Sequence, residues 1–136
     1  MARTRTFRLS DGVLASLQER ARDRGESANA LAERLLEEGL RRDAHPLIDF
    51  WDSVAGRRAM VLGTRIEVGQ VVDTWLESNK LVEETAEYFN LPERHIAAAL
   101  QYYAAFQQEV DEYRARKQEF ADREHGAWQR EQALLS

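Results

Sequence analysis

From Thr4 to Leu9 polar and apolar residues alternate: Phe7, Leu9 and Arg5 share one face, and Thr4, Thr6 and Arg8 the other. A period of two predicts a short strand. The period changes at Ser10-Asp11, a helix-start signal, and Val13, Leu14, Leu17 and Ala21 then recur at helical spacing from Gly12 to Arg24. Gly25 ends this first helix. Ser27 is the expected N-cap of a second, which runs to about Arg42 with Leu31, Leu35, Leu36 and Leu40 on its apolar side.

Pro46 marks a boundary, and a connector over 45–58 carries Leu47, Ile48, Phe50 and Trp51, enough apolar surface to dock. Two short extended runs, Ala59–Leu62 and Thr64–Val68, flank Gly63. Helical spacing follows over Val68–Glu77, then over Leu81–Phe89, and from Glu93 onward after an Asn90-Leu91-Pro92 turn, with Pro92 suited to a helix's first turn. Residues 107–136 are polar and charged. Phe106, Val110, Tyr113, Lys117, Phe120 and Trp128 trace a loose helical stripe there, a tail that continues the third helix. The reading is a mainly α protein in four parts: 1–44, a connector 45–58, a three-helix, helix-turn-helix-like unit 59–106, and a charged helical tail 107–136.

Charge sharpens this division. The chain of 136 residues has a net charge of −5, yet residues 1–24 hold six arginines against three acids, while residues 46–136 hold sixteen acids against ten basic residues. A basic head suits phosphate contact, and an acidic body suits a protein partner or solubility. There are no cysteines, so disulfides and thiolate metal sites are excluded. With no signal-peptide core and no long apolar run, a cytoplasmic protein is expected. His45, His95 and His125 are scattered without metal-ligand spacing. No nucleophile lies beside an evident base and no glycine-rich phosphate loop occurs, so neither enzyme activity nor a cofactor is expected.

The first forty-odd residues cannot make a good monomer, because one six-residue strand has two open edges and little core beneath it. Pairing strands from two copies closes both problems and places Thr4, Thr6 and Arg8 on an exposed ribbon that fits a major groove. The stretch RTRTFRLSDGVLASLQERARDRGESANALAERLLEEGL resembles the ribbon-helix-helix repressors and antitoxins. That resemblance implies base contacts from Thr4, Thr6 and Arg8. It implies phosphate contacts near Ser27 and Asn29, and Arg3 and Arg5 are assigned to phosphates as well. Glu26 departs from the pattern by setting a negative charge beside the clamp.

Residues 56–106 resemble a small domain of unknown function often encoded beside PIN-type ribonuclease toxins, through GTRI at 63–66, EETAEYF at 83–89 and LPERHIAAAL at 91–100. Arg65 has two readings there: a fork of donors for an anion, or a strut paired to an acid of its own unit. The helix from Glu93 is not basic, which favours partner or oligomer contact over DNA reading. The tail also has two readings. It is a helix for a partner's groove, with Tyr113, Phe120 and Trp128 as anchors and Arg116 among its cations, or a helix that self-associates.

These readings combine into an antitoxin of a type II toxin-antitoxin pair. It is a homodimer or tetramer that binds double-stranded operator DNA, represses its own operon and neutralises a toxin of the PIN-type ribonuclease class. The alternatives are a ribbon-helix-helix regulator without a toxin, whose C-terminal part drives oligomerisation, and an interaction protein without DNA affinity.

Overall fold

The computed structural model describes residues 2–136, in the order α1 (Asp11–Arg24), α2 (Ala28–Ala44), β1 (Ile48–Ser53), β2 (Gly56–Val61), α3 (Val68–Glu77), α4 (Val82–Phe89), α5 (Glu93–Ala105) and α6 (Gln107–Leu135). These elements form two compact units, one ending at Arg41 and the other beginning at Arg42.

The first unit corrects the ribbon-helix-helix assignment. That fold requires an N-terminal strand, and residues 2–9 carry neither strand nor helix, so helices come first and strands later. Alternation is a property of side chains, whereas a strand is a property of hydrogen-bonded pairs. Nothing among the described residues pairs with Thr4–Leu9. The only strands among the described residues, β1 and β2, pair with each other.

The helices of this unit start and stop on local chemistry. The Ser10 Oγ accepts a hydrogen bond from the Val13 amide at 3.2 Å and so caps α1. Gly25, at φ 66°, closes its end, with the Glu26 amide reaching the Ala21 carbonyl at 2.9 Å. The Ser27 Oγ accepts from the Ala30 amide at 3.1 Å and starts α2. Glu26 is held by Arg34, with 2.7 Å from Nη1 to Oε1.

The second unit has its own core. Residues assigned to a connector form the hairpin instead, with Ile48 opposite Val61, Phe50 opposite Ala59 and Ser53 opposite Gly56. The second expected strand, Thr64–Val68, is a turn with a single bridge from Glu67 to Met60. The Thr64 hydroxyl makes that turn, donating to the Val61 carbonyl at 2.8 Å and accepting from the Ile66 amide at 3.0 Å. The hairpin's inner residues Ile48, Phe50 and Val61 meet Val68, Val71, Val72, Ala86, Ile96, Ala99 and Tyr102 from α3, α4 and α5. Asn90, at φ 54°, caps α4 in the left-handed region, and the Leu91 amide reaches the Ala86 carbonyl at 3.0 Å before Pro92 opens α5. The expected continuous third helix breaks at Phe106, and α6 starts afresh. No helix among the described residues is long and apolar enough to cross a membrane.

Candidate functional site

Three surfaces have chemistry to offer. The first is the segment before α1. Arg3, Thr4, Arg5, Thr6 and Arg8 are all exposed, and none of the three arginines makes an ion pair among the described residues. The Arg5 guanidinium lies 5.9 Å from the centre of the Phe7 ring, whose own surface is 67% exposed. Ser27 and Asn29 are exposed at the start of α2, and the Ser27 hydroxyl oxygen is already engaged as a cap.

The second surface is the groove between α1 and α2. It encloses about 480 Å³ and is lined chiefly by Leu9, Val13, Leu17, Ala32, Leu35 and Leu36. Phe7, Leu14 and Leu40 of this unit are also exposed, while among its described apolar residues only Ala21 and Leu31 are buried. Two helices of this kind need far more burial than that to hold their shape in water.

The third surface is α6. Its first half is tied to the second unit. Glu67, the N-cap of α3, has a side chain only 4% exposed, with Arg58 Nη1 at 3.2 Å and Lys117 of α6 donating to the same oxygen. Burial pushes this carboxyl up, but the hydrogen bonds from Lys117 and Tyr113 and the charges of Lys117 and Arg58 hold it below its ordinary value. Arg114 bridges two acids, donating from Nε to Asp73 at 2.9 Å and from Nη1 to Asp111 at 2.8 Å. A cleft of about 190 Å³ runs between these pairs, lined by Glu67, Gln70, Asp73, Arg114, Lys117 and Gln118.

Tyr113 and Arg116, named as partner contacts from the sequence, sit in this anchorage. The Tyr113 hydroxyl and the Ser53 Oγ are 3.0 Å apart, and Arg116 Nε donates to the Ala55 carbonyl at 3.2 Å. Phe120 is half-buried at the edge of the docked stretch, and beyond it α6 is uncovered. Trp128 is 55% exposed and stacks on His125 at 5.9 Å. Arg65 is exposed and makes no ion pair among the described residues, so the strut reading of that residue finds no acid.

Sequence reasoning missed Glu67 and Lys117 because their meeting spans fifty positions. The one local signal was a glutamate at the helix start followed three residues later by Gln70, whose Oε1 accepts from the Glu67 amide at 2.8 Å. His45, His95 and His125 share no site, and no metal-ligand cluster occurs among the described residues. No protein-family model, no curated protein and no solved structure matches the chain.

Proposed function

We propose that the protein is a non-enzymatic regulator that binds double-stranded DNA with its basic N-terminal segment and holds a protein partner with its acidic second unit, as an antitoxin holds its toxin. The observation that carries the DNA half is the trio Arg3, Arg5 and Arg8, three exposed guanidiniums within six positions, none with a carboxylate partner among the described residues. An unpaired guanidinium is a strong ligand for phosphate, and Thr4 and Thr6 add hydroxyl donors between the charges.

The partner half rests on the excess of acid beyond residue 45 and on the exposed Trp128 of α6. Aromatic residues on a rigid helix are efficient anchors for a protein groove. A PIN-type ribonuclease toxin is the class to test first.

The direct test is fluorescence anisotropy with a labelled duplex taken from upstream of the protein's own coding sequence, beside a scrambled duplex. Saturable binding that is stronger for the native duplex, and lost in the triple variant Arg3→Ala, Arg5→Ala, Arg8→Ala, is the expected result. Equal binding by the triple variant would remove the segment from the DNA site. Co-expression with the product of the adjacent gene then tests the partner half.

A further inference from the structure

The two sides of α4 differ sharply. Thr85 and Ala86 are buried, and Val82 and Phe89 pack on the same core. Leu81, Glu83, Glu84, Glu87 and Tyr88 are exposed, Leu81 by 48% and Tyr88 by 73%. Leu81, Glu84 and Tyr88 recur at i, i+3 and i+7 and so share one side of the helix, with Glu83 and Glu87 in the row beside them. Just before α4, Leu76 and Glu77 at the end of α3 are exposed as well.

None of Glu77, Glu83, Glu84 and Glu87 makes an ion pair among the described residues. From Ile66 to Glu93 the chain has seven acids and one cation, Lys80, whose ammonium lies 5.7 Å from the centre of the Trp75 ring. Glu83 and Glu84 suit the first turn of a helix. Glu87 does not suit the last. The helix dipole opposes its charge there, and Glu83 and Glu84 stand one turn before it with the same sign. This carboxylate therefore works against the helix that carries it.

We propose that the outer face of α4 docks a cationic amphipathic helix of the protein partner, with the incoming apolar side on Leu81 and Tyr88 and its lysines or arginines on Glu83, Glu84 and Glu87. This contact rests on the partner half of the reading above and places it on the body of the second unit. Charge selects the occupant. A second copy would set glutamates against glutamates, and a nucleic acid or an anionic membrane would meet the same repulsion. A cationic segment with an apolar side satisfies both kinds of residue on this face.

The test uses the full chain and two synthetic helices, one of lysine and leucine and one of glutamate and leucine at the same spacing. In an NMR titration at physiological salt, the lysine peptide is expected to shift the amide signals of residues 81–90 saturably, and the glutamate peptide to leave them in place. Glu87→Lys should weaken lysine-peptide binding about tenfold and raise the thermal midpoint by about 3 °C. Tyr88→Ala should also weaken binding about tenfold. Glu131→Lys, the same charge change at an exposed position of α6, should leave affinity within about twofold. Unchanged affinity in Glu87→Lys, an equal loss in Glu131→Lys, or shifts centred outside 81–90 overturns the proposal. Capture of the adjacent gene's product that survives both Glu87→Lys and Tyr88→Ala also overturns it and leaves the partner reading standing. Absence of capture by the native chain, with the peptide still mapped to α4, overturns only the partner reading.

Discussion

Lys117 of α6 donates to the carboxylate of Glu67 at the start of α3, and Arg58 of β2 shares that carboxylate. Three elements therefore converge on one buried charge. Removing a partner from a buried pair costs several kcal/mol, less where the partner is half-exposed as Lys117 is. Lys117→Ala is expected to lower the stability of the second unit by about 2 kcal/mol, read by urea unfolding.

The same pair sets a pH dependence. Burial opposes the Glu67 charge, but Lys117, Tyr113 and Arg58 outweigh it, so the folded carboxyl lies below its unfolded value. A depressed acid contributes stability that is complete above the unfolded value and disappears as pH falls through the folded one. Thermal unfolding followed from pH 7 down to 3 should show this loss in the native protein. It should be smaller in Glu67→Gln, which starts lower at pH 7.

Gly69 lies where α6 crosses α3. A Cβ there would stand 3.0 Å from Arg114 Cγ and 3.7 Å from its Cδ. The Arg114 stem is pinned by Asp73 and Asp111, so it cannot swing aside without losing an ion pair. Gly69→Ala gains about 1 kcal/mol of helix propensity and suffers overpacking of about 2 kcal/mol, for a net loss of about 1 kcal/mol. In an Arg114→Ala background the same change should stabilise. A double-mutant cycle measures the difference.

The end of α6 is expected to be dispensable for folding. Residues 121–125 and 127–135 are exposed, and the long apolar side chains among them, Trp128, Leu134 and Leu135, are more than half so. Ending the chain after Ala121 should change unfolding free energy by no more than about 0.5 kcal/mol. Capture of the co-expressed neighbour should fall sharply if this helix is the anchor.

Salt dependence distinguishes phosphate contact from other DNA binding. Each phosphate contact adds about 0.9 to the slope of log affinity against log salt. Replacing Arg3 alone by alanine should weaken binding and flatten the slope by about 0.9 per bound copy, and a titration series from low to physiological salt reads it directly.

Helices were the most legible part of the chain. Val71, Val72, Trp75 and Leu76 mark α3, and Pro92 opens α5, because a helix is made of neighbours. The hairpin was less legible. Ile48-Asp49-Phe50-Trp51 looked like a docked connector, since its apolar run lacks strict alternation and its pairing with 56–61 is visible only when both strands are laid side by side. The anchorage of Tyr113 and Arg116 was hidden for a similar reason. A stripe along a helix does not say which of its residues meet the chain's own body, and Ser53 and Ala55 lie about sixty positions away.

What the sequence by itself determined is the set of local events: Ser10 and Ser27 capping, Gly25 and Asn90 turning left-handed, and the split between a basic head and an acidic body. These depend on contacts within four or five residues, or on composition alone. Tertiary structure decided the rest. Thr4–Leu9 has strand patterning but no strand, because backbone hydrogen bonds need a second backbone and the described residues supply none there. Glu67 became the charge that anchors α6, because only the packed second unit brings Lys117 and Arg58 to it.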